Sequence, residues 1–247
     1  MNYRERCYRN FVSSHWKYSH IFSQETYNLF AKASRKRLKG ILPDDKEAKI
    51  IDIACGAGHF LYFLQQEGYI NTRGIDLSEE QLEVANKMGV KNLEKADLFE
   101  YLPKHPQSFD LVVANDIIEH LKKDEVLEFL DIIYHSLVPG GQLLLGTVNA
   151  QSLFGASTVF IDFTHEQGFT PGSLAQVMRV CNFKDVEVYG EKPAAHDFKS
   201  AIRCGLWWCT KKILKAYVTI ERGTGRKMWK HSDIFEPRIF AVGRKPK

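Results

Sequence analysis

The 247-residue chain can bury a large core without covalent staples, and its 44% hydrophobic and 26% charged residues are ordinary for a globular protein. A formal net charge of +4 is too small to imply a nucleic-acid partner, and DNA is not expected as one. Cys7, Cys55, Cys181, Cys204 and Cys209 show neither C-x-x-C nor zinc-finger spacing, so they read as reduced thiols and no metal site is expected. The N-terminus lacks the apolar segment of a signal peptide, and no uncharged apolar run of about 18 residues is present. The expected location is cytoplasmic, with peripheral contact at the inner membrane surface left open.

Residues 1–47 are expected to form a helical cap, rich in aromatics and closing with Arg35-Lys36-Arg37-Leu38-Lys39-Gly40. From residue 48 the pattern alternates between strands and helices, the sign of a mostly parallel sheet. Strands are predicted at Ile50–Ala54, Asn71–Asp76, Asn92–Ala96, Phe109–Ala114 and Gln142–Val148. Helices are predicted at Phe60–Glu67, Glu79–Lys87 and Lys123–Ser136, with Pro139-Gly140-Gly141 as a turn before the fifth strand. Ser173–Cys181 reads as a helix, Lys184–Tyr189 and Arg238–Arg244 as antiparallel strands, and 196–220 as a helix in an insert over 194–232. The predicted fold is a Rossmann-like α/β domain with a seven-stranded, mostly parallel sheet and helices on both faces.

Ile50-Ile51-Asp52-Ile53-Ala54-Cys55-Gly56-Ala57-Gly58-His59-Phe60 runs a buried strand into a glycine turn and a helix. Glycine there lets the backbone approach a ligand closely. A dinucleotide fingerprint needs a third glycine where this chain has Leu61, which disfavours NAD and FAD. Asp76 ends the second strand 18 residues past Gly58, a place from which a carboxylate can bind two ribose hydroxyls. Asp97-Leu98 follows the third strand, and Asn115-Asp116 ends the fourth at the same sheet edge. Each signal alone is more often structural; their joint order and spacing are not.

Ile50–Val148 resembles the class I S-adenosylmethionine methyltransferases, whose motif reads D-[IV]-G-C-G-x-G where this chain has Asp52-Ile53-Ala54-Cys55-Gly56-Ala57-Gly58. Ala54 in place of the first glycine is the one departure. The resemblance implies S-adenosylmethionine as cofactor and S-adenosylhomocysteine as product. It implies a cofactor site of Asp52, Ala54, Gly56, Gly58, Asp76, Leu77, Asp97, Leu98 and Asn115. Ile117-Ile118-Glu119-His120-Leu121 is similar to the family's segment after the fourth strand.

No Pro-Pro-Tyr signature of amino methylation follows the fourth strand. A hydroxyl acceptor must lose a proton, and His165 in Asp162-Phe163-Thr164-His165-Glu166 is the expected base, oriented by Asp162 or Glu166. His120 is the second candidate, and His59 is expected to pack in the glycine turn. The competing reading makes the run up to Thr170-Pro171 only a helix start. Asp162–Pro171 is also similar to a stretch in methyltransferases of bacterial surface-polysaccharide (capsule and O-antigen) biosynthesis. That resemblance implies O-methylation of a sugar or of a sugar- or nucleotide-linked phosphate.

Between Lys199 and Lys230 nine basic residues face one acid, Glu221, which leaves 25 basic and 29 acidic residues elsewhere. Phe198, Ile202, Leu206, Cys209, Ile213, Tyr217 and Ile220 follow one helical stripe, expected to pack on the domain. The charges would then be solvated, attract an anionic small-molecule or glycan acceptor, or touch anionic lipid through 198–220. An RNA-modifying enzyme and a non-catalytic binding subunit are the alternatives, and the sequence leaves the oligomeric state open.

Overall fold

In the computed structural model, residues 3–8, 22–193, 195, 197–223, 231 and 233–247 are described. Seven strands run β1 (Ile50–Ile53), β2 (Thr72–Asp76), β3 (Leu93–Lys95), β4 (Phe109–Asn115), β5 (Leu137–Val148), β6 (Lys184–Gly190) and β7 (Arg238–Arg244). They form one sheet in the order β3-β2-β1-β4-β5-β7-β6, with β7 antiparallel to both of its neighbours. The order reverses direction between β1 and β4, which places a ligand crevice beyond the carboxyl ends of those strands.

The pleat sorts the core. Ile51, Ile53, Val112, Ala114, Leu143 and Leu145 face one layer, while Ile50, Leu111, Val113 and Leu144 face the other. Helices α6 (Lys123–Ser136) and α8 (Pro171–Val180) cover the first layer through Phe129, Ile133, Leu174 and Met178. Helices α2 (Gln24–Arg37) and α3 (His59–Gln66) cover the second through Ala31, Phe60, Phe63 and Leu64. Ser78 caps α4 (Glu79–Lys87), and Thr170, followed by Pro171, caps α8 with a reciprocal bond to Ser173.

Among the described residues, short helices α1 (Tyr3–Tyr8), α5 (Leu98–Tyr101) and α7 (Gly155–Val159) complete the α-helices. The expected helical continuity through 9–21 lies outside the described residues. Pro139-Gly140-Gly141 is not a turn before β5 but part of it. Gly140 takes φ +83° and the register with β4 shifts between Phe109 and Leu111, so the irregularity is absorbed as a bulge within a longer strand.

Helix α9 (Phe198–Arg222) corrects the expected packing face. Phe198, Ile202, Leu206, Cys209, Ile213, Tyr217 and Ile220 all point to solvent. Ser200, Cys204, Trp207, Lys211, Leu214 and Val218, equally well spaced, are the covered positions. A polar anchor decides between the two stripes: Lys211 Nζ donates to the buried Glu236 Oε1 at 2.8 Å, and Lys215 Nζ to Asp233 Oδ2 at 3.1 Å. Lys199, Arg203 and Lys212 remain exposed, with Lys212 over the Trp208 ring at 3.6 Å. Arg226, Lys227 and Lys230 of the basic count lie outside the described residues.

Candidate active site

Strand β1 delivers the glycine loop to the crevice. Ala54, Gly56 and Gly58 take φ +52°, +54° and +75°, so the chain turns sharply, and the Gly58 amide closes the turn on the Cys55 carbonyl at 2.9 Å. A Cβ at Gly56 would sit 2.6 Å from Gln81 Oε1, and one at Gly58 would press on Ala85 and Val90. Tyr27 of α2 donates to the Ala57 carbonyl and stacks on His59 at 4.0 Å, so His59 packs in the turn as expected.

Asp76 sits at the tip of β2, 9% exposed. Its Oδ2 accepts from the Gly56 amide at 2.8 Å and its Oδ1 from Ser78 at 2.7 Å. Burial raises its pKa, against the amides of Ser78, Gly56 and Leu77. A carboxylate offers about four acceptor positions, so at least one remains for a ribose hydroxyl. The cradle therefore fits the ribose of an adenosyl cofactor. Leu77 beside it is exposed, Asp97 caps α5 through Phe99, Leu98 is buried in the core, and Asn115 lies over Gly146.

Asp52 is 2% exposed beneath the loop, and burial followed by the Asp76 charge pushes its pKa well above the ordinary range. A folded-state pKa above the unfolded one means the unfolded chain releases this proton first as pH rises. Stability then falls from about pH 4 upward through the folded pKa. Asp52→Asn is therefore expected to raise the melting temperature of the cofactor-free protein at pH 8, on the order of several degrees, and by less at pH 5. Equal shifts at both pH values in thermal melts would remove Asp52 as the cause.

The second half of the site joins two segments distant in sequence. A 3-10 turn at Ile118–His120 follows β4, and the chain after β5 returns beside it through residues 159–169. The Glu119 carbonyl accepts from the amides of Glu166 at 2.8 Å and Gln167 at 3.3 Å, and Gln167 Nε2 donates to the Leu121 carbonyl at 2.9 Å. Asn149 bridges to Phe169 in parallel register. The stretch before α8 is thus a return loop pinned to the turn after β4.

This pinning brings His120 and His165 together, ring centroids 4.6 Å apart and edge to face. His165 Nδ1 faces the Val159 carbonyl at 2.5 Å, so its orienting partner is a backbone oxygen and not Asp162 or Glu166. Asp162 orients the other histidine: Thr164 Oγ1 donates to Asp162 Oδ1 at 2.7 Å and meets His120 Nδ1 at 2.8 Å. Against its own desolvation, Asp162 is held low by the Thr164 amide and hydroxyl. Burial, then His165, lowers the His120 pKa to about 4. Glu166 accepts from the Tyr3 hydroxyl of α1.

Glu119 completes the group. It is 1% exposed and accepts from Thr147 Oγ1 at 2.8 Å; burial and Asp116 raise its pKa. Glu119, His120 and His165 each offer one ligand atom, all within 4.8 Å of one another. Beside them Asp116, at φ +54°, pairs with Arg238 of β7, which also reaches Glu191 at 2.9 Å. Sequence reasoning gave Glu119 and Arg238 no role; the only signal was an acid directly before a histidine at the end of a strand. Phe160, Ile161 and Phe163 stand exposed on the same return segment, and Phe154 just before α7 is exposed as well.

A family model described as a methyltransferase domain matches residues 24–188. A ubiquinone biosynthesis O-methyltransferase of Saccharophagus degradans is 29% identical over 160 residues, 58% of this chain and 66% of that protein. A tRNA U34 carboxymethyltransferase of Desulfotalea psychrophila is 31% identical over 172 residues, covering 64% of this chain and 52% of that protein. The chain thus spans less than two-thirds of the length of these relatives. Among solved structures, an S-adenosylmethionine-dependent methyltransferase from Archaeoglobus fulgidus superposes with a TM-score of 0.64 at 23% identity, over 90% of this chain and 97% of that one. The Haemonchus contortus phosphoethanolamine N-methyltransferase 2, in complex with S-adenosyl-L-methionine, gives 0.62 at 19% identity, over 97% of this chain and 60% of that one. The model covers more than half of the sequence and the superposed folds agree, so the chain has the class I S-adenosylmethionine-dependent methyltransferase fold and belongs to the methyltransferase domain family.

Proposed function

We propose that this chain transfers the methyl group of S-adenosylmethionine to an oxygen of a small anionic acceptor. The bound cofactor supplies an electrophilic methyl on a sulfonium, held by the glycine loop and Asp76. The observation that carries the oxygen reading is the Glu119, His120 and His165 group on the segments that follow β4 and β5. An amine presents its lone pair directly, whereas a hydroxyl has to lose a proton, and this group is suited to that task.

The resemblance of Asp162–Pro171 to polysaccharide-modifying enzymes supports a sugar or a sugar- or nucleotide-linked phosphate as acceptor. The exposed Lys199, Arg203 and Lys212 favour negative charge, and the exposed Phe154, Phe160, Ile161 and Phe163 favour an apolar, lipid-like portion. The relatives named above carry other acceptors in their names. The test measures S-adenosylhomocysteine release with nucleotide sugars, sugar phosphates, lipid-linked sugars, catechols, phosphoethanolamine and tRNA. Methyl ether or ester formation on a sugar compound is the expected outcome. Turnover confined to phosphoethanolamine nitrogen or to RNA would overturn the oxygen and sugar readings.

A further inference from the structure

The geometry points to a divalent transition-metal site made by Glu119, His120 and His165, which takes the acceptor oxygen. It deepens the oxygen-methylation reading and rests on it for the acceptor's role, while ion binding itself stands apart from that reading. Two imidazoles and one carboxylate are a donor set suited to a borderline ion such as Zn2+ or Fe2+. Bonds of about 2.1 Å hold donors no more than about 4.2 Å apart. The three ligand atoms lie within 4.8 Å, so they need to close by at most about 0.6 Å.

The supporting contacts are those a metal-binding histidine needs. Thr164 spends its one hydroxyl proton on Asp162 Oδ1, so His120 Nδ1 must be the donor in its contact with Thr164. His165 Nδ1 faces a carbonyl and must donate as well. Both rings are therefore set in the tautomer that carries its lone pair on Nε2, by a carboxylate relay in one case and a backbone oxygen in the other. Thr147 holds the Glu119 carboxylate in the same way. One ligand atom from each of the three groups lies within 4.8 Å of the others, a spacing that a cation can bridge. Glu119 is buried and both histidines are half-buried, which leaves one side open for the acceptor.

In the transfer, the acceptor hydroxyl releases its proton to solvent and its oxygen forms a bond to the methyl carbon. The carbon–sulfur bond breaks with its electron pair on sulfur, which leaves as a neutral thioether. The ion lowers the hydroxyl's pKa and fixes its position. His165 then acts as a ligand and not as the base that its sequence context suggests.

The test titrates chelator-treated full-length protein with Co2+, read by visible absorption, and with Zn2+, read by calorimetry. The wild type is expected to take one ion per chain with micromolar or tighter affinity. His120→Ala and His165→Ala should each weaken binding at least 100-fold, and Thr164→Val, through its loss of the Asp162 relay, about 10- to 100-fold. Glu119 is buried, so Glu119→Gln is read only where circular dichroism shows a folded protein; the histidine variants carry the test otherwise. No stoichiometric ion in folded wild type, or unchanged affinity in both histidine variants, would overturn the site. S-adenosylmethionine calorimetry on the same samples separates the two readings: cofactor binding without ion binding overturns the metal site alone.

Discussion

Asp76→Ala is expected to weaken S-adenosylmethionine binding on the order of 30- to 150-fold, the equivalent of roughly 2–3 kcal/mol. The carboxylate does two things at once. It holds the glycine loop through the Gly56 amide and the start of α4 through Ser78, and the acceptor capacity left over is available to a ribose hydroxyl. Alanine removes both the ribose acceptor and the strut that keeps the loop in its ligand-ready shape. Asp76→Asn keeps the volume and one acceptor oxygen, so it should fall between the two. Calorimetric titration of each folded variant checks this, and an unchanged cofactor Kd in Asp76→Ala would end the ribose assignment.

His165→Ala should produce the opposite division: cofactor Kd within about twofold of wild type and turnover lower by about 100-fold or more. The ring meets the Val159 carbonyl and the His120 ring, away from the hydrogen bonds that tie Asp76 to the glycine loop. Its loss removes one of the three groups proposed to act on the acceptor. A merely structural role would show instead as a lower melting temperature with kcat preserved. Wild-type turnover in a folded His165→Ala protein would remove the residue from the chemistry, leaving His120→Ala as the next variant to measure.

The arrangement of the glycine loop against Asp76 is legible in the sequence because it is local. A strand, a glycine loop and a carboxylate one strand later are separated by short, regular elements, and each sits where the chain reverses at the sheet edge. The acceptor half is not local. His120 and His165 are 45 positions apart, and they are brought together by the pinning of Glu166 and Gln167 to the Glu119 carbonyl, with Gln167 on Leu121 and Thr164 on His120. A carboxylate two residues from His120's hydroxyl partner reads in the sequence as a neighbour of His165; the fold makes it the orienting group of the other ring. Helix α9 shows a second limit. Two stripes with the same spacing lie on it, and hydrophobicity selects the wrong one, because the covered face is fixed by Lys211 reaching Glu236 from a segment 25 residues away.

Strands β6 and β7 are direct neighbours in the sheet, yet the chain between Gly190 and Arg238 is far longer than the two to five residues a hairpin connection needs. The family match stops at residue 188, just before that connection begins. The sheet and the cofactor cradle thus place few demands on the length or composition of the intervening segment. In evolutionary terms, a connection of this kind is where the fold has room to differ in length without adding or losing a strand.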